Sequence, residues 1–332
     1  MNYPIPDDLI ALIRQSQRVL CVSHVNPDGD AYGSLLGMTW LLRSLGKQAT
    51  PVMQDALLDE FRFLPGAGEI LAPHQAGTNF DLVLSLDASS PDRIGDVYDA
   101  TCHNQIPLGV IDHHITNTRF GLVNWVEPRC AATCQMVAYL AAGLAVPITE
   151  PLATCLMTGV ITDTLGFRTN STTPDVLAVA MLLQRDGADL AGIVQRTLNR
   201  MPFSALRLWS LVLPEMQLED GVLWAAVRRD QLEAAGQHTD DSKLNSIFST
   251  IMEADISAVF TEKIGENGQM AVECSFRAKP GFNVGDLAFS LGGGGHPPAS
   301  GCTVVGLLAD VLATVVPALK ATRRRQANPA TE

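Results

Sequence analysis

The sequence predicts an α/β protein: an N-terminal, mostly parallel sheet flanked by helices, joined by a helical linker to a smaller α/β C-terminal domain. Three observations predict it. Apolar, β-branched runs alternate with helix-period segments through the first half, the pattern of repeated βα units. After residue 220 strand-like runs follow one another more closely. The 332 residues also exceed what one hydrophobic core usually serves.

Residues 6–16 carry the apolar spacing of a short amphipathic helix. "RVLCVSH" reads as a buried strand ending in His24, and "AYGSLLGMTWLLRSLG" as a helix that stops at Gly46. "QATPVM" is the next strand. "FDLVLSLDAS" is a strand that ends at Asp87, and "PLGVIDHH" one that ends in Asp112, His113 and His114. "CAATCQMVAYLAAGL" and "PLATCLMTGVITDTLGF" are helices, the second closing near Asp163. Residues 175–210 are helical and more polar, as expected of a connection. Beyond it, "GVLWAAVRRDQLEAAG", "ADISAVFTEK" and "GQMAVECSFRAK" read as strands, with helices between and after them. "LGGGGHPPASGC" fills 291–302.

Composition removes several classes of function. Hydrophobic residues make up 47% and charged residues 17%, which suits a compact chain and not a disordered one. The net charge is −12 and no basic stripe is present, so a protein that tracks long duplex nucleic acid is not expected. The one basic run, "RRRQ" at 323–326, reads as a solvated tail. No apolar run reaches the ~18 residues of a membrane span. The N-terminus "MNYPIPDDLIALIRQ" lacks the basic-then-apolar layout of a secretory leader. The 7 cysteines form no C-x-x-C, so free thiols in a reducing cytoplasm are expected. Cys130 and Cys134 are expected as buried residues of one helix.

Parallel sheets bind ligands outside the carboxyl ends of their strands. The polar residues that interrupt the apolar pattern collect there: His24, Asp28, Asp30, Asp87, Asp112, His113 and His114, with Asp163 at a helix end. Imidazole with carboxylate is a divalent-metal donor set, and the lack of cysteine in it disfavours structural zinc. One divalent ion would leave the aspartates strongly anionic. The carboxylate count favours two ions, Mn²⁺ ahead of Mg²⁺ or Co²⁺. Such a pair suits phosphoryl chemistry. Each motif alone has a plainer reading: Asp87 as a helix cap, Asp28 and Asp30 as turn residues, the histidine pair as a surface accident. Independent caps need not fall at successive strand ends with two histidine clusters among them.

"HVNPDGDAYGS", "SLDAS", "VIDHH" and "GVITDTLGF" resemble, in order, the four motifs of the DHH phosphoesterase superfamily. "GGGGHPPASG" resembles the hallmark of the DHH-associated C-terminal domain. The arrangement is similar to the stand-alone nanoRNase/pAp phosphatase branch. The resemblance implies a DHH catalytic domain at 1–195, a helical linker at 196–220, a substrate-binding domain at 221–325 and a tail at 326–332. It implies His24, Asp28 and Asp87 on a first ion, and Asp30, Asp87, His113 and Asp163 on a second, with Asp87 as the bridge. His114 would face the substrate phosphate and Asp112 would orient a neighbour. Arg277, Gly293, Gly294, Gly295 and His296 would hold the substrate. Many relatives carry a basic residue after the "GGGGH"; Pro297 and Pro298 stand here instead. Glu262 and "DDSKLN" at 240–245 fall where relatives carry substrate-side loops.

The expected function is therefore hydrolysis of short oligoribonucleotides (nanoRNA) from an end, and dephosphorylation of 3′-phosphoadenosine 5′-phosphate (pAp), by a cytoplasmic homodimer. Few groups beyond the metals could face phosphates: Arg277, Lys279, His114 and His296. Hydrolysis of linear or cyclic dinucleotides (pApA, pGpG, c-di-AMP) is the competing enzyme reading. A related soluble pyrophosphatase would lack the "GGGGH" domain, and a long-strand exonuclease would need further domains. A nucleotide-binding regulator with a dead site is the non-enzyme reading; such a copy should have lost a metal ligand, and every motif position here is filled.

Overall fold

The computed structural model describes residues 3–97, 105–237, 243–265 and 268–327. Cys102, residues 240–242 of "DDSKLN" and the tail beyond Ala327 lie outside them. The chain divides into two compact units, Met1–Arg200 and Met201–Glu332.

The first unit is built on a five-stranded, all-parallel sheet in the order β2-β1-β3-β4-β5. Its strands are β1 (Arg18–Val22), β2 (Gln48–Val52), β3 (Leu82–Leu86), β4 (Leu108–Asp112) and β5 (Val123–Val126). β1, β3 and β4 are buried almost throughout, which explains their unbroken apolar runs. Helices α1 (Asp7–Gln15), α2 (Gly29–Ser44), α3 (Pro91–Ile94), α4 (Thr133–Gly143), α5 (Glu150–Asp163), α6 (Pro174–Arg185) and α7 (Leu190–Thr197) accompany the sheet. After β1 the chain passes through α2 to β2 on one side, and then returns to β3 on the other. The strand order reverses between β1 and β3, which is where an open α/β sheet forms its ligand crevice.

α2 is buried on nearly every side and packs against α5. Small residues permit the close crossing. A Cβ on Gly33 would lie 2.6 Å from the Cys155 carbonyl, and one on Gly159 would lie 2.4 Å from Asp30 Oδ1. This contact sets the first turn of α2 beside the last turn of α5, so Asp30 and Asp163 share one location.

The second unit holds a six-stranded sheet in the order β10-β11-β9-β8-β7-β6. Its strands are β6 (Gln217–Glu219), β7 (Val222–Val227), β8 (Ile256–Ile264), β9 (Met270–Ala278), β10 (Gly294–His296) and β11 (Ala299–Val305). Among its described strands only β7 and β8 pair in parallel. Its helices are α8 (Phe203–Val212), α9 (Arg229–Ala235), α10 (Leu244–Phe248), α11 (Gly285–Ser290) and α12 (Leu308–Ala327). One apolar cluster joins β8, β9 and β11 to α12. Another joins α8 and α10 to β7.

Several expectations change. "GVLWAAVRRDQLEAAG" is a strand only to Val227; from Arg229 it is α9, with Gly236 in the left-handed conformation at its end. Cys134 lies in α4, but Cys130 precedes the helix, in a turn. The stretch 196–220 divides: α8 enters the apolar core of the second unit, and β6 pairs with β7. "GGGGHPPASG" takes a defined strand structure. It is the β10–β11 hairpin, with Pro297 and Pro298 as its two-residue loop. Their carbonyls accept from Val284 N and Ala278 N, both at 2.9 Å, and tie the loop to its surroundings. The six described cysteines are free and buried. Among the described residues no helix is long and apolar enough to cross a membrane.

Candidate metal centre

The carboxyl ends of β1, β3 and β4 carry the centre. His24 lies just past β1 and turns Nε2 toward Asp28 Oδ1 at 3.7 Å and Asp87 Oδ2 at 3.5 Å. Asp28 caps α2, its Oδ1 accepting from Asp30 N and Ala31 N at 3.0 Å each. Asp87 directly follows β3 and adopts a left-handed backbone, φ 60°. Aspartate tolerates that region better than most residues, at a small cost.

β4 supplies the other half. His113 Nε2 lies 3.3 Å from Asp163 Oδ2, 3.6 Å from Asp87 Oδ1 and 3.9 Å from Asp30 Oδ2. Its Nδ1 faces the Cys130 carbonyl at 3.3 Å. A carbonyl only accepts, so this partner calls for a ring hydrogen on Nδ1, the arrangement that would leave Nε2 as the ligating nitrogen if a cation were bound. Three donor groups result: His24 with Asp28 and Asp87; Asp30 with His113 and Asp163; and Asp87 with His113 and His114. Asp87 thus stands between the other two groups, and no cysteine belongs to any of them.

Residues that the sequence did not single out hold these donors. The first two amides of α4, Thr133 N and Cys134 N, donate to the Asp30 carboxylate at 2.6 and 2.9 Å. A helix N-terminus is a natural carboxylate cradle. Thr133 Oγ1 donates to Asp87 Oδ1 at 2.9 Å. Asp112, fully buried, accepts from His114 Nδ1 at 2.7 Å and from Asn117 Nδ2 at 2.6 Å. Asn117 Nδ2 also reaches the Ala88 carbonyl at 3.1 Å, stitching the β4 loop to the β3 loop. His114 therefore keeps its Nε2 available on a side chain that is 42% exposed.

The donor set fits a divalent ion. Asp87 is 1% exposed, yet its Oδ2 has no hydrogen-bond partner. A bare, buried carboxylate oxygen is costly unless a cation satisfies it. The protonation of the cluster tells the same story. Burial and the nearby Asp87 charge push the Asp30 carboxyl well above the usual range. Burial, with Asp30 and Asp87, does the same to Asp163. Burial alone would lower the His24 ring, but the Asp28 and Asp87 carboxylates beside it outweigh it and push it up to about 10. Burial and Asp30 push the Cys134 thiol well up, so it stays neutral beside the centre.

The sign of the metal linkage follows. Without metal, His24 holds a proton near neutral pH, and the raised carboxyls bind protons more readily than ordinary aspartates. A metal ligand must give its protons up. Metal uptake should therefore release protons, and affinity should climb with pH until His24 is bare at about 10. Titration calorimetry of Mn²⁺ in two buffers of different ionisation enthalpy measures this. Identical heats in both would show that the donors are already deprotonated.

In the second unit, Arg277 on β9 lies opposite Ala299, which in turn lies opposite His296. Directly opposed residues share a face, so Arg277 and His296 point to the same side, one strand apart. Arg277 donates to the Phe276 carbonyl at 2.9 Å, and burial lowers its pKa. Lys279 is committed elsewhere: its Nζ donates to the carbonyls of Ile251 and Met252 at 2.6 and 3.0 Å. It is thus not a free phosphate contact. Asn245, from "DDSKLN", bonds Ser275 and Ser257 and pins α10 to the sheet. Glu262 accepts from Arg229 N at 3.2 Å, at the start of α9.

A switch-point crevice lined with aspartate and histidine donors on an all-parallel sheet defines a phosphoesterase site of the DHH type. Residues 18–160 match the family model described as "DHH family, N-terminal domain". The chain belongs to the DHH family and is a hydrolase, a phosphoesterase. It is 36% identical over 293 residues to the "Bifunctional oligoribonuclease and PAP phosphatase NrnA" of Thermus thermophilus, which covers 88% of this chain and 86% of that protein. The protein of the same name from Mycoplasma genitalium is 26% identical over 305 residues, covering 90% and 92%. In fold the chain is similar to an exopolyphosphatase-related protein from Bacteroides fragilis, with a TM-score of 0.87, 24% identity and 97% of each chain covered.

Proposed function

We propose that this phosphoesterase hydrolyses short oligoribonucleotides from an end to mononucleotides and dephosphorylates pAp, using two divalent ions, Mn²⁺ ahead of Mg²⁺ or Co²⁺. The observation that carries this reading is Asp87, whose two carboxylate oxygens face separate histidine groups at 3.5 and 3.6 Å. The names of the two relatives above supply the substrate class.

His24, Asp28 and Asp87 would hold one ion; Asp30, Asp87, His113 and Asp163 would hold the other. Bound there, the ions would activate a water and stabilise the attacking and leaving oxygens. The chain's own groups position the ester. Asp112 fixes the His114 ring through Nδ1, so that Nε2–H or a bare Nε2 meets the phosphate. Arg277, with its half-buried guanidinium, and His296 hold the nucleotide.

The glycines of the hairpin separate by cause. A Cβ on Gly293 would lie 2.1 Å from the Gly301 carbonyl, and one on Gly295 would lie 2.6 Å from that of Ala299. The hairpin itself requires these two. Gly294 would meet nothing within 4 Å. A ligand is the remaining reason for glycine there, since backbone N–H groups approach phosphates closely only without a side chain. Gly294→Ala should therefore leave the melting temperature within about 2 °C, as open-site changes do, and raise KM for oligonucleotides several-fold. An unchanged KM would remove Gly294 from the substrate face.

Substrate length is the main test. Each phosphate contact on a single strand adds about −0.7 to the slope of log affinity against log salt. With a net charge of −12, and with Lys279 committed to carbonyls, the chain offers few contacts past the first phosphates. kcat/KM should peak at about two to five nucleotides, fall with length and depend weakly on salt. RNA from two to about twenty-four nucleotides, at two salt concentrations with products resolved on a gel, measures this. Rising efficiency with length, or internal cuts, would overturn the short-substrate reading.

A further inference from the structure

The two faces of the second sheet are covered unequally. On one face α11 and α12 bring Ala288, Val311 and Val315 against Phe276 and Cys302. On the other, α8, α9 and α10 pack over β7 and β8, against Leu223, Ala225 and Val259. Over β9, β11 and β10 that second layer does not continue as an apolar cluster among the described residues. Residues directly opposed across strands, or two apart along one, share a face. On this face Arg277, Ala299 and His296 form one cross-strand row. Ser275, Gly301 and Gly294 form the next row, and Glu273 and Thr303 the one after.

The face is hollow at these last two rows. Ser275, Gly301, Glu273 and Thr303, with Lys263, line a cavity of about 300 Å³, the size of a small-ligand site. Its floor is nearly free of side chains, since Gly301 and Gly294 offer only backbone. Lys263 Nζ donates to Glu273 Oε2 at 3.1 Å, which offsets the carboxylate charge toward an anionic ligand. Glu273 Oε1 has no partner among the described residues, and neither has the Thr303 hydroxyl. Ser275 Oγ accepts from Asn245 Nδ2 at 3.1 Å, so its own hydrogen is left to donate. A carboxylate oxygen and two hydroxyls around bare backbone match a sugar better than a phosphate, which the carboxylate would repel. Carboxylates hold ribose hydroxyls in the same way in dinucleotide-binding folds.

We propose that this cavity is a ribose site, in which Glu273 accepts from the 2′-hydroxyl of the nucleotide next to the one that Arg277 and His296 hold. The proposal rests on the reading of that pair as substrate-holding residues. Glu273 lies four residues from Arg277 along β9, about 13 Å of extended strand. A phosphate, its ribose and two long side chains fill such a span. The 2′-hydroxyl is the group by which a protein tells RNA from DNA. Glu273 therefore selects ribonucleotides, with Thr303 and Ser275 completing the hydrogen bonds of the sugar.

Dinucleotides with 2′-deoxyribose at neither, the first or the second position test this on the full chain with Mn²⁺, as wild type, Glu273→Ala and Glu273→Gln. The wild type should favour the all-ribose form over one of the deoxy forms by about 10-fold in kcat/KM. Glu273→Ala should lose about as much on the all-ribose form, mainly through KM. The two removals should not add, so the ribose preference should collapse toward one. Glu273→Gln keeps an acceptor oxygen and should keep part of the preference. A wild type indifferent to 2′-deoxyribose at both positions would overturn the proposal. So would equal losses on ribose and deoxy forms in Glu273→Ala, the mark of a residue that merely supports the sheet. Calorimetric affinities for the same dinucleotides separate the premises. A ribose preference in binding that Glu273→Ala abolishes, in a protein that cleaves none of them, would refute the hydrolytic reading and uphold Glu273. A wild type that binds no dinucleotide would refute both.

Discussion

Asp87→Asn should abolish turnover while the fold persists. The substitution keeps the size of the side chain and tolerates the left-handed backbone at φ 60°, which alanine would strain. An amide oxygen can still accept from Thr133 Oγ1. What disappears is a negative charge between two histidine groups, and with it the second anionic oxygen that faces His24. Loss of a group that only supports a metal ligand typically costs about 10–100-fold. On the proposed two-ion reading Asp87 would serve both ions, so its loss should exceed that range. Single-turnover assays, with metal content measured on the same samples, check this. Wild-type metal content and rate in Asp87→Asn would refute the bridging role.

Gly159→Ala should have the largest effect on the fold, although one methyl group is all it adds. Its Cβ would lie 2.3 Å from Cys134 Sγ, 2.4 Å from Asp30 Oδ1 and 3.0 Å from Asp30 Cα. Two of these atoms end side chains, but both residues are fully buried at the starts of α2 and α4, and Asp30 Oδ1 is held by Cys134 N, so neither can swing away freely. Overpacking of this kind costs about 1–3 kcal/mol. For a unit of this size each kcal/mol lowers the melting temperature by about 2–4 °C. The displacement also bears directly on Asp30, so metal affinity should fall with stability. Thermal melts with and without Mn²⁺ separate the two effects. A variant with wild-type melting and metal binding would mean that α2 and α5 can part without cost.

Much of this site was legible because parallel strands place their ends together. β1, β3 and β4 are buried on both faces, so they read as apolar runs, and the ionisable residues at the end of each stand out. His24, Asp87 and the Asp112–His114 run are those residues. Thr133 and Asn117 were not legible. They are ordinary residue types, and their importance arises from partners such as Asp30, which lies 103 positions from Thr133. β5 escaped notice because four residues without a helical crossover give little periodicity. β10 escaped because glycine has low strand propensity; its pairing with β11 decides its state. The α9 sequence was read as strand because apolar "VLWAAV" runs directly into it, while the left-handed Gly236 marks the helix end.

The donors of the centre are spread along the chain from His24 to Asp163, and only the finished fold assembles them. An unfolded chain offers no comparable chelate. Ion binding and folding of the first unit therefore share one equilibrium. At a free ion concentration of one hundred times Kd, each bound ion adds about 2.7 kcal/mol to the stability of the native state. That is comparable to the whole cost expected for the Gly159 substitution. The melting temperature of this protein is thus a property of the chain and its medium together, and it has a meaning only at a stated ion activity. A chelator acts on it as a denaturant of the first unit, without touching a single apolar contact.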